Sequence, residues 1–163
     1  MTTQEIVKRY NITIHNDNQI AVGRNPKSLK AAELQAIKEA KPEILAYLKA
    51  EKQAKEDAAK ARTAAIDGIE GLDILRKAIN DHGAYHDEVN RRFEDEMMSG
   101  IMPAKPTASI SEIKAQYPRA AAYIKAENWT LASNVDKYSA GKRAVERIIN
   151  GEDHAQVIAD MET

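Results

Sequence analysis

Lys41-Pro-Glu-Ile-Leu-Ala-Tyr-Leu-Lys-Ala-Glu51 returns later in the chain as Tyr117-Pro-Arg-Ala-Ala-Ala-Tyr-Ile-Lys-Ala-Glu127. Pro42, Ala46, Tyr47, Lys49, Ala50 and Glu51 have identical partners 76 positions on, at Pro118, Ala122, Tyr123, Lys125, Ala126 and Glu127. Upstream, Leu34, Ile37 and Lys38 align with Ile110, Ile113 and Lys114. Repetition of this kind marks a reused structural unit. The unit reads as a short helix, a break enforced by proline, and a second helix that starts at the proline, whose missing N–H costs nothing in a first turn. Nothing in the pattern is reactive, so it speaks for architecture rather than activity. Tyr47 and Tyr123 are expected to pack on Ile37 and Ile113, with Lys49 and Lys125 in water.

Upstream of the first copy, Gln4 to Tyr10 reads as a short helix. Asn11-Ile-Thr-Ile-His15 then alternates with period two, and Gln19-Ile-Ala-Val22 follows the polar turn Asn16-Asp-Asn18. Ile12 and Ile14 face the same side as Ile20 and Val22, which predicts a two-stranded hairpin. Downstream of Pro42 the helix runs on through Arg62 on strong helix formers, supported by the spacings Glu51–Lys55 and Glu56–Lys60. Its apolar stripe is alanine, at Ala54, Ala58, Ala61 and Ala65, so an exposed spacer helix is expected, ended or loosened at Gly68 and Gly71.

A stronger stripe, Leu72, Leu75, Ile79, His86, Val89, Phe93 and Met97, predicts an amphipathic helix with a possible bend at Gly83. Residues 99–108 hold two prolines and a glycine and read as the main linker. Beyond it, Ser109 or Ser111 caps a short helix and the second copy follows. A helix over residues 134–150 carries Val135, Tyr138, Val145, Ile148 and Ile149, closed by Asn150-Gly151, and a final helix carries Val157, Ile158 and Met161. The expected fold is mainly α with a small N-terminal β-hairpin (α-β-β-α-α), a long spacer helix and a C-terminal helical domain. The divisions are 1–51, 52–98, a linker at 99–108, and 109–163.

With 163 residues, one Trp, one Phe and 30% charged residues, the chain suits long helices with thin cores better than a thick-cored enzyme. It has no cysteine, which excludes disulfides and thiolate chemistry. No apolar run approaches a membrane span, and the first residues lack the pattern of a signal peptide, so a cytoplasmic protein is expected. Charge is uneven. Residues 1–62 carry 12 basic against 8 acidic side chains, residues 63–108 carry 5 against 9, and residues 109–163 carry 7 against 8, for a net charge of −1.

Residues 4–51, with the polar-turn hairpin, the helix ending before Lys41-Pro42 and the closing Ile44-Leu45-x-x-Leu48, resemble the TubC-type N-terminal docking domain of peptide and polyketide megasynthetases. The resemblance implies an αββαα domain that dimerises and accepts a short acidic segment of a partner beside the hairpin. Transferred to this chain, it makes Ile20, Ala21, Val22 and Arg24, with Lys27 beyond them, the partner-binding edge. The competing reading is that the hairpin only covers the helices. The C-terminal string from Tyr117 to Trp129 and from Lys137 to His154 resembles segments of small phage and mobile-element proteins.

Candidate chemistry is sparse. His82 and His86 are four apart, the spacing of metal ligands on one helix face, against a bland reading with His86 in a seam and His82 near a bend. Asp87, Glu88, Glu94, Asp95 and Glu96 scatter around a helix with Arg91 and Arg92 between them, which suits a solvated face better than an acid–base pair. Ser139-Ala-Gly-Lys142-Arg143 lacks the first glycine, the interval and the final hydroxyl of a phosphate loop, so Gly141 reads as a close helix contact. Lys30, Lys38, Lys41, Lys49 and Lys52 belong to a basic stretch able to track phosphates.

No nucleophile–base constellation or Gly-rich loop is present, and no cofactor is implied. The leading expectation is a non-enzymatic adaptor or inhibitor that binds a protein partner, of phage or mobile-element type and anti-CRISPR-like in acting on a host defence or nucleic-acid machine. The alternative is a nucleic-acid-binding accessory protein contacting DNA or RNA through the basic N-terminal face, and the third reading is a metal-dependent enzyme. Helical seams with small residues lead to the expectation of a homodimer.

Overall fold

The structure, a computed structural model, describes residues 2–16, 19–23, 29–94 and 102–163. Its contacts divide the chain into two compact units, residues 1–61 and 62–163. The architecture is mainly α with one two-stranded antiparallel sheet near the N-terminus.

The first unit opens with α1 (Thr3–Tyr10). Thr2 caps it reciprocally: the Glu5 N–H donates to Thr2 Oγ1 at 3.3 Å, and the Thr2 N–H donates to Glu5 Oε2 at 2.7 Å. Asn11, at φ 49°, takes the left-handed position that turns the chain out of the helix. Strands β1 (Ile12–Asn16) and β2 (Gln19–Val22) follow, in the register Ile12 to Val22, Thr13 to Ala21 and Ile14 to Ile20. Helix α2 (Ala31–Glu39) ends at Ala40, and α3 (Lys41–Asp67) starts at once with Pro42 in its first turn. Glu33 ties α1 to the start of α2. It accepts from the Lys30 N–H at 2.9 Å and from the Tyr10 hydroxyl at 3.0 Å, and these bonds hold its carboxyl below the usual range.

Ile6, Val7, Tyr10, Ile12, Ile37 and Ile44 form the core of this unit, with Ile20, Val22, Leu29, Tyr47 and Leu48 packed against it. That is a small core, fed by one face of each element. Beyond it, residues 52–64 of α3 are exposed on every side, as their alanine stripe requires. Lys55 pairs with Glu51 at 2.7 Å, and Glu56 pairs with Lys52 at 3.9 Å rather than with the expected Lys60.

In the second unit the chain turns at residues 68–71 into α4 (Leu72–Glu94), which runs through Gly83 as one helix. Then come α5 (Ile110–Gln116), α6 (Pro118–Trp129), α7 (Val135–Ile149) and α8 (His154–Glu162). Ser109, Asn134 and Asp153 cap α5, α7 and α8 through their side-chain oxygens. Gly151, at φ +86°, closes α7 as its sequence position predicts.

Helix α6 is the centre of this unit. Ala120, Ala122, Tyr123, Ile124 and Ala126 are buried among Leu72, Leu75, Val145, Ile148, Val157 and Met161. Trp129 is the last residue of α6. The contact between α6 and α7 is made at Gly141. A Cβ there would stand 2.8 Å from both Ala126 O and Thr130 N and 2.7 Å from Trp129 Cβ, so only glycine admits this approach. Gly141 therefore serves the helix packing expected of it and no phosphate loop.

The stripe of α4 is only half used. Leu72, Leu75 and Ala78 are buried, whereas His86 and Phe93 are exposed and Val135 and Tyr138 of α7 are exposed as well. An ideal helix of 3.6 residues per turn keeps His86 and Phe93 within about 20° of Leu75, yet both are exposed, and half-buried His82, Tyr85, Val89 and Arg92 lie to one side of that line. The expected linker, over its described residues 102–108, belongs to this unit: Pro103, Ala104 and Pro106 line a shallow pocket together with Ala84 and Tyr85, and the His82 ring pairs with Ala108 O at 2.8 Å. The chain's division falls at residues 61 and 62, inside α3.

A candidate docking groove in the N-terminal unit

Between α1, β1 and α3 lies an open groove of about 640 Å³. Its apolar lining is Val7, Ile12, Ile14, Tyr47 and Leu48. Each is placed by a local pattern: Val7 by the inward stripe of α1, Ile12 and Ile14 by the period of β1, and Tyr47 and Leu48 by the turn after buried Ile44. The rim is charged, with Lys8, Lys52 and Lys55 against Glu51 and Glu56. Lys55 is bound to Glu51, which raises its pKa first through that hydrogen bond and then through charge. Lys52 faces Glu56, while Lys8 has no carboxylate partner among the described residues. One cation therefore remains uncompensated on the rim.

The backbone of β1 gives this groove a second property. The Gly23 N–H donates to Asn11 O at 3.0 Å, so Asn11 and Gly23 form a hydrogen-bonded pair. Alternation along an antiparallel ladder makes Thr13 and Ala21 the next such pair and turns the amide and carbonyl groups of Ile12 and Ile14 away from β2. Residues 11–14 line the groove and no residue of β2 does. An apolar channel thus borders a strand edge that carries no third strand among the described residues, the arrangement that accepts an extended segment by strand addition.

The residues expected to bind a partner fall differently. Ile20 and Val22 pack on the core of the unit, because their face of β2 covers the helices, and Ala21 on the opposite face is half-buried. Arg24 and Lys27 lie outside the described residues. What the hairpin offers beside α3 is the edge of β1, a side that sequence reading passed over although Ile14 repeats the alternation of Ile12. Tyr47, read only as a packing residue, lines the groove while packing on the core that contains Ile37.

Of the basic stretch, Lys30 stands at the start of α2, Lys38 and Lys49 are exposed, Lys41 is half-buried and Lys52 faces Glu56. Of these, only Lys52 borders the groove. His82 is engaged by Ala108 O, and exposed His86 meets the ring of Tyr85 edge-on at 5.5 Å. Among the described residues no group of three or more potential ligands is placed to hold a metal ion.

Among the described residues the acidic candidates show no acid–base pair. Glu88 is clamped by Arg91 at 2.9 Å and Arg92 at 2.7 Å, bonds that pull its carboxyl down to about 2 and leave it a poor proton donor near neutrality. Asp87 is exposed, and the side chain of Glu94 and the whole of Asp95 and Glu96 lie outside the described residues. No described helix is long and apolar enough to cross a membrane. Compared with known proteins, the chain matches no family model, no curated protein and no solved structure.

Proposed function

We propose that the protein is a non-enzymatic docking protein, an adaptor or inhibitor, whose N-terminal unit holds an extended segment of a protein partner in the groove beside β1. The observation that carries this reading is the coincidence of an apolar channel with the outward-facing amides and carbonyls of Ile12 and Ile14. Strand addition satisfies those groups, each hydrogen bond contributing about 0.5–1.5 kcal/mol net. One large apolar side chain seated on Tyr47 and Leu48 adds about 1.5–3 kcal/mol. Lys8 favours acidic character in the segment, in keeping with the resemblance to acidic-segment docking domains. The partner edge is then β1, not β2.

The test is photocrosslinking of the full chain in the cells that make it. Benzoylphenylalanine placed at Thr13 or Lys52, both exposed and both on the groove, is expected to give a discrete adduct with one or a few proteins. The same residue at Lys38 is expected to give none. Ala59→Trp, which fills the groove from the exposed side of α3, removes the adduct. Adducts that are absent from Thr13 and Lys52, or unchanged by Ala59→Trp, contradict the reading.

A further inference from the structure

We infer that the corner between α6 and α7 in the second unit is another docking surface, one that takes an acidic protein segment carrying large apolar side chains. Most apolar residues of this unit are gathered into the core around α6, and Ile74, Phe93 and Met102 are exposed at separate places in the sequence, but Leu131 (81% exposed), Val135 (74%) and Tyr138 (38%) fall close together. Leu131 sits in the turn four residues before Val135, and Val135 and Tyr138 are one helical turn apart on the same face of α7. Isolated exposed apolar residues are ordinary, whereas three in one corner mark a contact surface.

The charges around this corner specify the occupant. Elsewhere in the unit Arg62, Arg76, Lys125 and Arg147 engage Glu146, Glu127, Glu162, and the pair Glu152 and Asp160. Among the described residues Lys137 and Lys142 have no such partner. They lie instead over aromatic rings, Lys137 Nζ 5.5 Å from the centroid of Trp129 and Lys142 Nζ 4.6 Å from that of Tyr138. Arg143 on the next turn is exposed and is likewise without a carboxylate partner among the described residues. Cations uncompensated beside aliphatic side chains call for carboxylates beside apolar ones.

The surface is also held in shape before binding. Asn134 Oδ1 accepts the N–H groups of Asp136 at 2.9 Å and Lys137 at 3.1 Å, and the backbone at Gly141 lies against Trp129. Little ordering cost is then left to binding. Nucleic acid fits less well, because the two most exposed side chains are aliphatic and offer no stacking face, and the rings of Trp129 and Tyr138 are already occupied by lysines. A second copy of this chain would bring the same cations against one another.

Panning the full chain and its Leu131→Ser/Val135→Ser variant in parallel against a display library of random peptides tests this. Peptides enriched on the full chain alone are expected to combine Asp or Glu with Leu, Phe or Trp. As labelled synthetic peptides they should bind at least ~10-fold more weakly to Lys137→Glu/Lys142→Glu and equally well to Ala59→Trp. The altered side chains are exposed, so melting followed by Trp129 fluorescence should stay unchanged. Equal enrichment on both proteins, no enrichment, or enrichment of peptides without acidic residues overturns the inference. So does binding abolished by Ala59→Trp alone, which would assign the peptides to the groove. Binding of oligo(dT) or of phosphatidylglycerol vesicles, or self-association of the chain, that is lost in Leu131→Ser/Val135→Ser while no acidic peptide binds would assign the corner to another occupant and overturns it equally.

Discussion

Ile44 and Ala120 occupy the same place in the two copies of the repeat, and both are fully buried. Six residues later the copies part: Ala50 is exposed and Ala126 is fully buried. Tyr47 is half-buried on the wall of a groove, whereas Tyr123 is 3% exposed in the middle of a core, where burial raises its hydroxyl pKa. Glu51 finds its cation four residues along its own helix, in Lys55, while Glu127 finds Arg76 on α4. The repeated residues thus determine a proline-started helix and one inward position. Whether the opposite face is closed depends on chain far away in sequence. In the second copy α7 and α8 close it, with Gly141 setting the approach, and in the first the same face is left open and runs on into the exposed part of α3.

The largest expected break in this contrast is at the tyrosines. Tyr123→Ala should destabilise the second unit by about 3–5 kcal/mol, as removal of a buried aromatic does. Tyr47→Ala should cost about 1–2 kcal/mol, since a half-buried ring forfeits less area. Trp129, the single tryptophan, reports urea unfolding of the second unit, and far-UV circular dichroism reports the first. Equal losses would mean that the two copies are packed alike.

A smaller effect separates two helix-interior glycines and tests why the second copy is closed. Gly141→Ala should destabilise by about 1–3 kcal/mol, because the new Cβ meets backbone atoms at 2.8 Å and the α6–α7 contact must open. Gly83→Ala meets nothing within 4 Å and should stabilise α4 by up to about 1 kcal/mol. Thermal melts of the two variants check both signs.

The smallest effect is electrostatic and lies outside both copies. Glu88 should titrate at about 2 in the folded chain, and Arg91→Ala/Arg92→Ala should return it to the ordinary carboxylate range, as read by NMR of its side-chain carboxyl. Because the folded pKa is the lower one, the support these pairs give α4 is complete above the ordinary carboxylate range. It is lost as pH falls toward about 2.

Most of the helices, the hairpin, the cap at Ser109 and the close approach at Gly141 were legible, because each depends on a few neighbouring residues. The covered side of α4 was misjudged at His86: the apolar spacing is regular there, but which side is covered is decided by chain distant in sequence, as at His82 with Ala108 O, and not by the helix's own pattern. The groove was less legible than the fold. Hairpin residues on β2 alternate as convincingly as those on β1, and which edge borders α3 is decided by tertiary packing that one strand's sequence does not encode. The exposure of Val135 was equally hidden, as an aliphatic residue in a helical stripe reads as core until a neighbour fails to cover it.

The chain has no cysteine of its own, which makes the central contrast directly measurable by thiol labelling. Ala50→Cys and Ala126→Cys place a thiol at the same position of the repeated pattern, one open and one closed. Ala50→Cys is expected to react at the rate of a free thiol under native conditions, and Ala126→Cys at least ~100-fold more slowly, limited by opening of the second unit. Comparable rates at the two positions would contradict the account.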